Sequence, residues 1–111
     1  MFKKIKKILY RSLEIKDISY KRLQEITRKD ANAILLDVRS HQEFLEGHLE
    51  NAINIPVFDL EKNAQKDLKD KSQTIIIYCS TGNRSKRAKE ILEKLEYENV
   101  YHLKNGLDGI N

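Results

Sequence analysis

The sequence is short of the residues that stabilise or anchor a chain by special means. Its 111 residues include one cysteine, one proline, four glycines and no tryptophan. A lone cysteine cannot close a disulfide within the chain, so the fold must rest on a packed core, and the composition suits a reducing cytoplasm. No apolar run approaches the length that spans a bilayer. The longest, Ile8-Leu9-Tyr10 and Ile75-Ile76-Ile77-Tyr78, are far too short. Arg11 breaks the basic start before an apolar segment of secretory type can form, which argues against a signal peptide. Internal repeats and low-complexity segments are absent. His41, His48 and His102 show no ligand spacing with Cys79, so the sequence calls for no metal and no cofactor.

What is present fits one compact domain of soluble composition, with 40% apolar and 34% charged residues. The net charge is +4, but residues 1–12 alone carry +5 (Lys3, Lys4, Lys6, Lys7 and Arg11), which leaves −1 for the rest. The basic character therefore belongs to a tail, which speaks against a nucleic-acid partner. Residues 1–14 read as a basic N-terminal arm and 15–111 as the folded domain. In the arm, Phe2, Ile5, Leu9 and Leu13 share a helical side, with Lys6 intruding. Packing on its own domain or a neighbour is the preferred reading; contact with an anionic membrane surface is the alternative.

Strand-like and helix-like segments alternate along the domain. Strands are expected at Ile15–Ile18, Ala33–Val38, Ala52–Ile55, Thr74–Tyr78 and Asn99–Leu103. Helices are expected at Tyr20–Ile26 behind the cap Ser19, briefly after the capping box Ser40-His41-Gln42-Glu43, near Phe58–Leu68, and at Ser85–Leu95. The last of these puts Ala88, Ile91, Leu92 and Leu95 on one face, with Lys86/Glu90, Lys89/Glu93 and Glu90/Lys94 spaced to pair on the other. Such alternation specifies an α/β fold with a mostly parallel central sheet flanked by helices.

Cys79 falls directly after the most apolar strand, in the stretch Tyr78-Cys79-Ser80-Thr81-Gly82-Asn83-Arg84-Ser85. Parallel sheets carry their sites on the loops at the carboxyl ends of strands. The strongest helix is expected to start about six residues later. Its N-terminal N–H groups and dipole favour an anion, and successive amides of the loop form an anion nest. Gly82 permits an unusual backbone conformation, and Arg84 adds a positive charge. Each of these lowers a thiol pKa, and the thiolate is the nucleophile. The substrate must be small, anionic and open to attack by sulfur. Thiosulfate qualifies: attack on its outer sulfur leaves a persulfide on Cys79 and releases sulfite. A second nucleophile then takes the sulfur, which is ping-pong covalent catalysis.

With these residues in view, the chain resembles the rhodanese-like sulfurtransferase family from about Ile18 to about Gly109. Ile34-Leu35-Leu36-Asp37-Val38-Arg39 is similar to the family's first motif. Residues 43–56, from Glu43 through Gly47-His48 to Asn54-Ile55-Pro56, are similar to its second. Residues 79–85 resemble its active-site loop. The resemblance implies a rhodanese-like fold, a persulfide on Cys79, and anion binding by the backbone of Ser80, Thr81, Gly82, Asn83, Arg84 and Ser85. It also implies a sulfur donor such as thiosulfate or a protein persulfide, and a thiol, cyanide or protein acceptor. Two positions depart from the family: Asn51 stands where glycine is usual, and Ile110 where an aromatic residue is.

Plainer roles are expected for the neighbours. Asp37 and Arg39 order the strand end as an ion pair, Glu43 completes the cap from Ser40, and His48 is a turn residue. Ser85 is either a helix cap or a substrate contact. Two other functions compete. A cysteine-dependent phosphatase or arsenate reductase would place five residues between cysteine and arginine, whereas four stand here. A non-catalytic or sulfur-carrier module is the other; retention of Cys79, Gly82 and Arg84 argues against the first form and leaves the second open.

Overall fold

The computed structural model describes residues 16–110. The basic arm and Ile15 lie outside the described residues. Five strands form one wholly parallel sheet: β1 (Asp17–Ile18), β2 (Ile34–Asp37), β3 (Ile53–Asn54), β4 (Thr74–Tyr78) and β5 (Asn99–Leu103). Their order is β1-β5-β4-β2-β3. The helices are α1 (Tyr20–Lys29), α2 (His41–Glu46), α3 (Val57–Asp67) and α4 (Asn83–Lys94), followed by a 3-10 turn at Leu107–Gly109.

The order makes β4 the middle strand, and its side chains alternate between two cores. Ile75, Ile77 and Cys79 join Leu60, Ala64, Ala88 and Leu92 under α3 and α4. Ile76 and Tyr78 join Ile18, Leu23, Tyr101 and Leu103 on the α1 face. Both faces of β4 are dry, which explains its unbroken apolar run. Ile75, Ile76 and Ile77 are all fully buried. Each such side chain stabilises the fold by about 1.5 to 3 kcal/mol.

Local signals set the helix ends. Ser19 caps α1 by accepting from the Arg22 N–H at 3.1 Å. The capping box of α2 closes in both directions: the Glu43 N–H donates to Ser40 Oγ at 3.2 Å, and the Ser40 N–H donates to Glu43 Oε1 at 3.1 Å. On α4's wet side Lys89 and Glu93 pair at 3.4 Å. Helix α4 begins at Asn83 rather than Ser85, capped by Gly82 at φ 101°. The expected start came two residues late because Asn83 and Arg84, polar and outside the apolar face, give no periodic signal. Asn51 holds φ 67° in the turn before β3, a left-handed conformation asparagine tolerates. Ile110 is half-buried against the α1-face core.

Helix α4 ends on a Schellman motif. The Glu96 N–H reaches Glu93 O at 3.0 Å and the Tyr97 N–H reaches Leu92 O at 3.0 Å. That geometry puts Glu96, a residue with a Cβ, at φ 70°. Glycine would adopt this conformation without steric cost, although it also loosens the unfolded chain. Glu96→Gly is therefore expected to stabilise the domain by about 0.5 to 1 kcal/mol. The check is the midpoint of urea unfolding, which should rise at an unchanged slope.

Candidate active site

Cys79 is the first residue beyond β4, and only 1% of its surface is exposed. The chain turns at once through Ser80, Thr81 and Gly82 into α4. The cradle is thus tighter than expected: three loop residues, then a helix whose first turn holds Asn83, Arg84 and Ser85. The Gly82 N–H points to Cys79 Sγ at 3.1 Å and the Ser85 N–H at 3.3 Å. The Ser85 hydroxyl lies 3.6 Å from the same sulfur. Burial pushes the Cys79 thiol up, but the Ser85 hydroxyl and the N–H groups of Ser85, Gly82 and Thr81 outweigh it, so the net displacement is downward.

Two close approaches fix the loop. A Cβ on Gly82 would strike the Lys104 carbonyl, and one on Gly106 would strike Ser80 and come within 2.6 Å of the Thr81 nitrogen. The 3-10 turn also holds the loop directly. The Leu107 N–H donates to Cys79 O and the Asp108 N–H to Ser80 O, each at 2.9 Å. The segment from 106 to 110 is therefore a brace behind the cradle.

The expected site residues occupy three positions. Thr81 and Asn83 are exposed at the loop, while Ser80 is half-buried. Arg84 lies at the rim, where its two terminal nitrogens reach Glu43 at 2.7 and 3.0 Å. Ser80 Oγ also donates to Glu43 Oε2 at 3.3 Å. Main-chain N–H groups and Arg84 were together expected to lower the thiol pKa; the N–H groups, with the Ser85 hydroxyl, face the sulfur, while the Arg84 guanidinium is engaged with Glu43 and acts on Cys79 through its charge alone. Ser85 is not the helix cap, a position that Gly82 holds. It is fully buried beneath the sulfur, and its hydroxyl also meets Gly82 O at 3.1 Å and His102 Nδ1 at 3.0 Å.

Asp37 and Arg39 brace the end of β2. Both are buried, with Arg39 Nη2 at 2.7 Å from Asp37 Oδ2 and 2.6 Å from Gly47 O. That pair locks the turn after α2 to the strand, as an ordering role requires. His48 caps the same turn, its Nδ1 2.8 Å from Phe44 O and its ring stacked on Phe44. Among the described residues no three His, Cys, Asp or Glu side chains gather as a metal-ligand set. No helix among them is long and apolar enough to cross a membrane.

Sequence reasoning missed two features here. Glu43 was assigned to its cap alone, and its bond to Arg84, 41 residues away, leaves no local trace. His102 was considered only as a metal ligand and set aside for want of ligand spacing with Cys79. Its alternation along β5, on the Val100 face beneath α4, and the rule that a buried polar side chain needs partners could have found it.

Residues 19–111 match the model of the rhodanese-like domain family. The chain is 39% identical over 108 residues, 95% of its length, to a probable molybdopterin-synthase adenylyltransferase of Porphyra purpurea. It is 35% identical over 65 residues, 59% of its length, to a thiosulfate sulfurtransferase of Escherichia coli. It spans only 28% of the first relative and 62% of the second. A solved structure of a rhodanese with anions from Escherichia coli superposes with a TM-score of 0.64 at 33% identity, covering 70% of this chain and 91% of that one.

The rim ion pair carries a pH signature. The Arg84 guanidinium, then the Ser40 contacts, hold the Glu43 carboxyl down at about 2 against burial. A depressed carboxyl stabilises the fold above its unfolded value and loses that contribution as the pH falls through the folded one. Arg84 and Glu43 side chains are 38% and 35% exposed, so solvent screening limits the pair to about 1 kcal/mol at most. Glu43→Gln should lower stability by up to that amount at neutral pH and flatten its decline between pH ~4.5 and ~2. Urea titrations at several pH values measure both effects.

Proposed function

The chain belongs to the rhodanese-like family, and from that premise we propose that it is a sulfurtransferase working through a persulfide on Cys79. The observation that carries this reading is the convergence of main-chain N–H groups on a sulfur whose pKa is lowered despite burial. Such a sulfur holds more thiolate at neutral pH than an ordinary cysteine, and the thiolate is the nucleophile.

Thiosulfate is the proposed small donor. The thiolate forms a bond to its outer sulfur while the bond between the two thiosulfate sulfurs breaks. The bonding pair leaves with sulfite, and Cys79 keeps the outer sulfur as a persulfide. An acceptor such as cyanide, a small thiol or a protein thiol then bonds to that sulfur, and Cys79 departs as the thiolate. The same N–H groups that stabilise the attacking anion stabilise it as the leaving group, so one cradle serves both halves of the cycle. Within α4 the first intrahelical bond runs from the Lys86 N–H to Gly82 O at 3.1 Å. The N–H groups of Asn83 and Arg84 precede that ladder and are the donors an anion at the helix start would meet.

A sulfur-carrier role is the second reading. It is favoured by the match of 95% of this chain to a part of the much longer adenylyltransferase. Both readings need the persulfide; they differ in whether free thiosulfate and cyanide give turnover. Phosphatase chemistry is disfavoured by a cradle of only three loop residues.

Incubation with thiosulfate should add the mass of one sulfur atom to the intact chain, located on Cys79. Cys79→Ser should lose that gain yet unfold within about 1 kcal/mol of the parent, because the hydroxyl can accept the same N–H bonds. An unchanged mass in a folded parent protein would defeat the reading. Cys79-dependent hydrolysis of p-nitrophenyl phosphate would replace it with a phosphatase, and stoichiometric loading without thiocyanate release would favour the carrier.

A further inference from the structure

Three polar groups from three elements line up behind the sulfur. Cys79 Sγ follows β4 and lies 3.6 Å from Ser85 Oγ in the first turn of α4. Ser85 Oγ is 3.0 Å from His102 Nδ1 on β5. His102 Nε2 is 3.0 Å from Asp17 Oδ1 on β1, its direct neighbour in the parallel register. Cys79, Ser85 and His102 are buried, and Asp17 is 57% exposed at its side chain. The chain of contacts therefore runs from a dry sulfur to water.

The number of protons in this chain decides what it can do. Asp17, as a carboxylate, only accepts, so His102 Nε2 carries a proton. A neutral His102 then presents a bare lone pair at Nδ1, and the Ser85 hydroxyl is the donor that faces it. Having spent its one proton there, Ser85 can accept from a Cys79 thiol but cannot donate to a Cys79 thiolate. A thiolate beside a neutral His102 leaves two buried acceptors competing for one hydroxyl proton, an expensive arrangement away from water. The conflict vanishes if Nδ1 is protonated. Nδ1–H then donates to Ser85, and Ser85 donates to the sulfur. Gly82 O is not stranded in either state, because the Lys86 N–H reaches it.

We propose that His102 is the positioning residue that stores the proton Cys79 gives up, passed through the Ser85 hydroxyl, with Asp17 stabilising the imidazolium. The S–H bond breaks as the proton joins Ser85 Oγ, and the hydroxyl's own proton moves to His102 Nδ1. One proton is transferred, no oxidation state changes, and the sulfur is left anionic opposite a cation.

The groups facing His102 fit this division of labour. Burial and the ammoniums of Lys89 and Lys86 on α4 hold the imidazole neutral, while Asp17 pulls the other way. Ile77 of β4, its partner in register, contributes no charge. The imidazole is thus a vacant base while the thiol is intact, and the new sulfur anion adds the field that lets it take the proton. The assignment rests on the reading of Cys79 as the working nucleophile, and deepens it.

The test is the pH profile of Cys79 alkylation by iodoacetamide, with nitrogen NMR of the His102 ring. In the parent protein the ring should hold its proton across the pH range in which Cys79 is a thiolate, and Cys79→Ser should move the ring's loss of that proton to lower pH. His102→Asn should move the alkylation profile to more alkaline pH and slow the reaction about tenfold at neutrality. Asp17→Asn, at a side chain 57% exposed, should move it the same way by less. Should His102→Asn fail to fold, Asp17→Asn and the NMR titration decide. Profiles that coincide with the parent's, and a His102 ring that ignores the thiol, would overturn the relay. Sulfur loading of the parent separates the two claims. Loading with unmoved profiles removes the relay alone, whereas shifted profiles without loading keep the relay and remove sulfur transfer.

Discussion

For the proposed sulfur transfer, the sulfur of a residue only 1% exposed has to carry negative charge with little help from water. The rest must come from groups fixed by the fold, and here they are the N–H groups of Thr81, Gly82 and Ser85 with one hydroxyl. Backbone donors suit the task because their directions are set by φ and ψ rather than by flexible side chains. They have the matching weakness that a small shift of the loop would misalign all of them together. The rest of the architecture can be understood as resistance to that shift.

Resistance comes from three sides. Beneath, β4 is clamped between β5 and β2, so Cys79 starts from the most constrained strand in the sheet. Behind, the 3-10 turn donates two hydrogen bonds to the carbonyls of Cys79 and Ser80. Gly106 brings that turn so close that no side chain fits between the two backbones. In front, the Glu43 cap of α2 doubles as the anchor of Arg84, tying the rim of the cradle to the neighbouring strand-to-helix connection. Asp37 and Arg39 steady that connection in turn through Gly47. A loop of three residues beside Cys79 is held by segments spread over most of the described chain.

How much of this could be read in the sequence follows from the range of each interaction. The strands β2, β4 and β5, the caps at Ser19 and Ser40, and the placing of Cys79 at the carboxyl edge were legible because periodicity and capping act over a few residues. The strand-end pair Asp37–Arg39 was legible for the same reason, being two residues apart. The start of α4 was misplaced because Asn83 and Arg84 owe their helical conformation to Gly82 and the packing of the loop, not to an apolar pattern. The engagement of Arg84 by Glu43, and of Ser85 by His102, joins residues 41 and 17 positions apart. Such pairs are set by strand order, and the order β1-β5-β4-β2-β3 is a tertiary fact that no local window holds.

The rim pair raises the question of how a cation already bound to a carboxylate could help an anion. A guanidinium has five N–H donors in one plane. Arg84 commits three contacts, two to Glu43 and one to Ser80 Oγ at 3.4 Å. Neutralisation by Glu43 weakens its long-range pull, which matters little for a ligand that docks within hydrogen-bonding reach of the loop. Fixing its orientation matters more, because a free arginine would have to surrender its rotamer entropy when the anion arrived. Glu43 imposes that cost during folding instead. The arrangement gives up some attraction at a distance for geometry at contact, the same preference shown by a cradle built from main-chain amides.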